Sequence, residues 1–305
     1  MALSKQIVEA EKKLENRFAM IDEIAFKNQK KVLQAFIDCK VSSQCFAGST
    51  GYGYDHVDRD TPAKVYAKIF GGEKAIVSPI LTCGTHAIST VLYGLLRPGD
   101  TMLSITGMPY DTLQETLFGK SNGSLEQFGV KYQQIELNPD SSFNVDAITA
   151  SLRELQPAVV YLQRSRGYTN RKALSPYDMK PVFELIKSLS PQSFIVVDNC
   201  YGEFVDDIEP TDVGADIVVG SLIKNPGGGL APTGGYIVGS ERAIDMIATR
   251  YTNPSLKLEV GSFEMGYRLF YQGLFLAPHT VAQALKGTAL VGQIMADKGY
   301  TVIPD

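Results

Sequence analysis

Residues 194–236 read FIVVDNCYGEFVDDIEPTDVGADIVVGSLIKNPGGGLAPTGGY. The stretch holds short apolar runs at 194–197 and 216–219 and ends inside a third at 235–238, separated by polar and glycine-rich turns. Runs of four apolar residues bounded by turn signals read as strands covered on both faces. Working outward, similar runs occur at 75–78, 101–105, 130–135 and 158–162. Amphipathic segments at 62–70, 84–96, 110–118, 144–155, 176–189 and 240–250 alternate with them and read as helices. Alternation of this kind predicts a doubly wound α/β domain. Its binding crevice should lie outside the carboxyl ends of the strands.

The flanks differ from this centre. Residues 4–38 read as helix, broken once, with Ile21, Ile24, Ala25, Val32, Ala35 and Phe36 near helical spacing. Residues 42–61 read as a long polar loop, residues 262–297 as one long helix, and 300–303 as the start of another strand. Across 305 residues, 44% are hydrophobic and 20% charged, which excludes a disordered chain. No apolar run approaches the roughly 18 residues that span a bilayer. A net charge of −4 argues against a dedicated nucleic-acid binder. Cys39, Cys45, Cys83 and Cys200 form no CxxC pair, and His56, His86 and His279 form no ligand pattern, so neither disulfides nor a metal site are expected. The charged, helical N-terminus is unlike a secretory signal, which makes the cytoplasm the expected compartment.

Three positions carry candidate chemistry, each at the end of an expected strand. Asp198 follows 194–197 directly; a turn or cap residue is the plain reading, and a partner for a cationic nitrogen the chemical one. Lys224 follows 216–219 after a short turn; it is either an ordinary surface lysine or a desolvated amine of lowered pKa. Gly84 and Thr85 open the helix 84–96, giving either a simple helix start or a phosphate cup at the positive end of the helix dipole. A Walker A loop and the GxGxxG fingerprint are both missing, which disfavours ATP and NAD. Taken together, a phosphate cup, a carboxylate and a lysine match the needs of pyridoxal 5'-phosphate. Tyr110 could stack on the pyridine ring, and Tyr201 could hydrogen-bond its hydroxyl.

DNCYGEF (198–204) resembles the aspartate segment of fold-type I pyridoxal-phosphate enzymes. SLIKNPGGGLAPTGGY (221–236) resembles the lysine segment of the aluminium-resistance, or methionine gamma-lyase-like, family related to cystathionine lyases. STGYGYD (49–55), RDTP (59–62), GTHA (84–87), LRPGD (96–100), PYDTL (109–113), QRSRGY (163–168) and YQGLFLAPH (271–279) extend the resemblance over essentially the whole chain. It implies an α/β fold of fold type I, with a mixed, mostly parallel sheet and helices on both faces. The implied domains are an N-terminal helical arm (1–45), a cofactor-binding large domain (46–261), and a connecting helix leading into a small domain (262–305). That small domain looks truncated by about a hundred residues, and with it the arginine expected for the substrate carboxylate; the last arginine present is Arg268.

By the same resemblance, Lys224 is the Schiff-base lysine, Asp198 the pyridine-nitrogen partner, and Tyr110 the stacking aromatic. Gly84, Thr85, Cys83 and Ser221 surround the phosphate, Cys83 standing where the family has serine. Tyr54 and Arg59 correspond to a loop that reaches the neighbouring subunit's phosphate, implying a homodimer or homotetramer with shared sites. The implied activity is a carbon–sulfur lyase on a sulfur-containing amino acid of the cystathionine or methionine type, by beta- or gamma-elimination. An aminotransferase, or a truncated pyridoxal-phosphate-binding homologue without catalysis, is the alternative.

Overall fold

The structure, a computed structural model, describes residues 5–50, 54–120 and 123–303. Gly51, Tyr52 and Gly53 of the STGYGYD string lie outside the described residues. Two helices, α1 (Lys5–Lys13) and α2 (Glu15–Asp38), form the N-terminal arm and are broken once, at Leu14. Then follow α3 (Val57–Ile69), β1 (Lys74–Ser78), α4 (Gly84–Leu95), β2 (Thr101–Ser104), α5 (Asp111–Phe118) and β3 (Lys131–Gln134). The second half runs α6 (Val145–Leu155), β4 (Val159–Gln163), α7 (Pro176–Leu189), β5 (Phe194–Asp198), β6 (Ile217–Ser221), β7 (Gly235–Gly239), α8 (Glu241–Tyr251) and α9 (Arg268–Asp297).

The seven strands form one sheet in the order β1-β7-β6-β5-β4-β2-β3. β7 is antiparallel to both β1 and β6, and the other pairs are parallel. Side chains alternate between the two faces, as the period of two requires. Leu103, Val160, Leu162, Ile195, Val197 and Val218 join the core under α2, α3, α6, α7 and α9. Met102, Val159, Tyr161, Val196, Ile217 and Val219 join the one under α4, α5 and α8. Covering of both faces explains why the strands read as continuous apolar runs.

Helix ends follow local chemistry. Ser175 and Asp178 form a capping box at the start of α7, with Pro176 at its first position, where no N–H is needed. Asn144 and Ser240 cap α6 and α8 through their side chains.

Three sequence expectations need correcting. The long polar loop ends sooner than its composition suggests, because α3 starts at Val57. Asp58 and Asp60 sit in its first turn, where acidic side chains favour the helix dipole. Helix α9 begins at Arg268, six residues later than expected. Residues 300–303 form no strand: an apolar run becomes a strand only against a ladder partner, and none of the seven described strands pairs with it. Among the described residues, no helix is long and apolar enough to cross a membrane, and no cluster of His, Cys, Asp and Glu is suited to a metal ion.

Candidate functional site

The sheet changes direction of growth between β2 and β4, since β3 adds on one side and β5 on the other. Such a switch point opens a crevice at the strand ends. Tyr110, just before α5, and Gln163, the last residue of β4, meet there: the Tyr110 N–H donates to Gln163 Oε1 at 3.0 Å. The Tyr110 hydroxyl donates to Thr85 Oγ1 at 3.0 Å, tying the β2 exit to the start of α4. Burial pushes the Tyr110 phenol well above its ordinary pKa, so it stays a donor.

Asp198 ends β5, in register with Gln163, and is 2% exposed. Its Oδ1 accepts the Cys200 N–H at 3.1 Å. Burial raises its pKa, while the Cys200 N–H and the Lys224 charge oppose the rise. Tyr161 Oη lies beside it, fully buried and without a well-formed hydrogen bond.

Lys224 follows β6 through Leu222 and Ile223, and its Nζ lies 4.2 Å from the centroid of the Tyr201 ring, a cation–π distance. Tyr201 is exposed and holds φ at 68°, a left-handed conformation that sets its ring under the lysine. The structure thus gives Tyr201 a ring face for the lysine. In sequence Lys224 is either an ordinary lysine or a desolvated amine of lowered pKa. Burial does pull it down, but Cys200, Tyr201 and Asp198 together favour the charged form, and the net direction is upward.

The start of α4 completes the crevice. The first-turn N–H groups of any helix lack intrahelical acceptors. The residue before α4, Cys83, does not cap them with its side chain, unlike the caps of α6, α7 and α8. A Cβ added at Gly84 would lie 3.2 Å from Cys200 Sγ and 3.3 Å from Ser221 Cβ, so glycine lets the β5 and β6 exits close around this turn. Ser221 is fully buried; its Oγ accepts the Ile223 N–H at 3.3 Å and donates to the Gly234 carbonyl at 3.4 Å.

The fold therefore gathers Cys83, Gly84, Thr85, Tyr110, Asp198, Tyr201, Ser221 and Lys224 around one crevice. Tyr54 and Arg59 are placed elsewhere. Tyr54 is exposed in the turn before α3. Arg59 lies on α3, not in a loop; its Nε donates to Asp60 Oδ1 at 2.8 Å, and it lines a cleft against β1 and Tyr251.

Sequence reading missed the buried layer beneath. Glu203 is fully buried, accepts the Tyr236 hydroxyl at 2.7 Å through Oε1, and has no partner for Oε2 among the described residues. Burial pushes its pKa up to about 8. Its carbonyl accepts Asn225 Nδ2 at 2.9 Å, anchoring the residue next to Lys224. Arg164 is 2% exposed and donates to Asn199 Oδ1 at 2.7 Å and to Asp206 Oδ2 at 2.5 Å. The one available signal was proximity in sequence to Asp198 and Gln163; nothing local announces that these polar side chains are covered.

Comparison with known proteins gives a consistent set of relatives. The family model described as methionine gamma-lyase matches residues 3–305. The protein YnbB of Bacillus subtilis is 43% identical over 305 residues, covering 99% of this chain and 72% of that protein. The crystal structure of a carbon-sulfur lyase involved in aluminum resistance from Clostridium novyi superposes with a TM-score of 0.95 at 44% identity, over 99% of this chain and 72% of that one. The pyridoxal-5'-phosphate dependent protein YhfS of Escherichia coli shares the fold, at TM-score 0.67 and 17% identity, over 92% of this chain and 70% of that chain.

Proposed function

The chain belongs to the methionine gamma-lyase family, and from that premise we propose that it is a pyridoxal-phosphate-dependent carbon–sulfur lyase acting on a sulfur-containing amino acid. The observation that carries the reading is the meeting of Lys224, Asp198 and the uncapped start of α4 in one crevice. The residues present fit the cofactor. The turn at Gly84 and Thr85, with the buried Ser221 hydroxyl behind it, suits a phosphate. The buried Asp198 carboxylate suits a protonated ring nitrogen, because a charge in that position is stabilised only by an opposite one. Lys224 suits the aldehyde.

When bound, the cofactor supplies an electron sink for the substrate α-carbon. Asp198 would hold the proton on the ring nitrogen. The N–H groups of Gly84 and Thr85 fix the phosphate, and Tyr110, locked by Thr85 and Gln163, bounds the ring. The Lys224 amine, once free, takes the proton from the α-carbon, and the sulfur leaves with the bonding electrons of the C–S bond. The departing sulfur would take up the proton that Lys224 removed, and water would hydrolyse the released unsaturated amino acid, so the products are a thiol, a keto acid and ammonia. Tyr54, exposed before α3, and Arg59 are assigned to a partner subunit's phosphate in a homodimer or homotetramer.

A visible spectrum with added cofactor tests the reading. Borohydride should fix the cofactor to the wild-type chain at Lys224, and Lys224→Ala should show neither the bound-cofactor band nor the covalent adduct. A wild-type chain with no such band overturns the assignment. Release of thiol and ammonia in equal amounts identifies elimination, whereas transamination would release neither.

A further inference from the structure

A cavity of about 430 Å³ opens beside Tyr201, with Arg164, Ser165, Arg166 and Asp206 in its wall. Its two arginines are paired differently. The wall carries two guanidinium groups and one carboxylate. Arg164 is fully engaged with acids, Asp206 at 2.5 Å and the buried Glu209 at 3.5 Å. Arg166 meets only neutral acceptors: the carbonyls of Thr169 at 3.0 Å and Ile303 at 2.6 Å, and Asn170 Oδ1 at 3.5 Å. Among the described residues it pairs with no carboxylate.

A further cation lies beside Arg166. Arg171 donates to the carbonyls of Gln163 and Lys172, at 2.7 and 2.9 Å, and to that of Ser165. Burial first, and then the charge of Arg166, hold its pKa below the ordinary arginine value. The Arg166 and Arg171 guanidinium groups thus repel each other. A half-buried arginine in a cavity of this size is suited to bidentate recognition of a carboxylate. Its position connects it to the chemistry: the Tyr201 ring lines this cavity and also lies 4.2 Å from Lys224 Nζ.

We propose that Arg166 and the cavity beside Tyr201 form an anion subsite that receives the far-end carboxylate of the substrate, selecting sulfur amino acids with a second carboxylate beyond the sulfur over simple thioethers. The proposal rests on the lyase reading above, and the two are scored by different measurements. Titration calorimetry of the 305-residue chain loaded with pyridoxal phosphate compares cystathionine, which has the second carboxylate, with methionine, which lacks it. Cystathionine should bind at least tenfold more tightly. Arg166→Gln should bring the ratio of the two dissociation constants close to one, and Arg166→Lys should restore part of it. No preference in the wild type, a preference that survives Arg166→Gln, or an equal loss for both ligands would each overturn the subsite. Thiol release by the wild type is scored separately: its absence beside an Arg166-dependent preference would overturn the lyase reading and leave the subsite standing.

Discussion

Asp198 and Glu203 are both buried acids, and their surroundings separate them. Asp198 has a backbone N–H and the Lys224 charge to offset burial, whereas the Glu203 carboxylate has the Tyr236 hydroxyl on one oxygen and, among the described residues, no hydrogen-bond partner on the other. Glu203 is consequently protonated in the folded chain below about pH 8, while an unfolded glutamate ionises near 4.5. Between these values the folded state binds the extra proton, so stability falls as pH rises and levels off above about 8. Glu203→Gln, a neutral group of the same shape, should flatten that decline by a few kcal/mol in total, about 1.4 kcal/mol for each pH unit. Urea unfolding of both proteins from pH 5 to 9 measures the difference; parallel curves would show that Glu203 does not titrate in this range. Lys224 and Asp198 were legible in sequence because each follows an apolar strand. Glu203 was not, because its burial depends on β6, β7 and their exits, which lie well over ten residues further along the chain.

At the scale of elements, α9 is fitted to the turn after Lys224 through glycine. A Cβ at Gly273 would lie 2.1 Å from the Gly227 carbonyl oxygen, and one at Gly228, where φ is 55°, would lie 2.2 Å from that of Gly273. The helix backbone therefore rests directly on the lysine turn. Gly273→Ala should force the two apart, costing about 1–3 kcal/mol and weakening cofactor retention. Gly287, on the same helix, has open space around its Cβ position. Gly287→Ala should stabilise the chain by up to about 1 kcal/mol, through helix propensity alone. Thermal melts of the pair separate packing from propensity, and equal shifts would disprove the contact. In sequence both are glycines in a helical pattern. Helix α9 itself was readable from its periodicity, but its start was not, since residues 262–267 are apolar and polar in a mixture that fits either state.

Over the whole molecule, the N-terminal arm is joined to the site through a buried side chain. Asn28 on α2 is fully buried, and its Nδ2 donates to the carbonyls of Phe204 and Asp206, at 3.3 and 2.9 Å. Asp206 in turn holds Arg164, so the arm, β4 and the segment after β5 share one network. Asn28→Ala should cost about 1–3 kcal/mol, the penalty for leaving buried groups unpaired. It should also loosen segment 198–209, which amide hydrogen exchange would register as lost protection; protection unchanged there would confine Asn28 to holding the arm. The order and type of nearly all elements, and the placing of Asp198 and Lys224 at or just past strand ends, were determined by sequence alone, because side-chain period and glycine placement act over a few residues. Tertiary structure decided the rest: that the surroundings of Lys224 push its pKa upward, that Arg59 meets Asp60 on its own helix, and that Arg166 meets no carboxylate among the described residues. Charge state and pairing depend on which distant groups the fold brings within a few ångströms, and no local pattern encodes that distance.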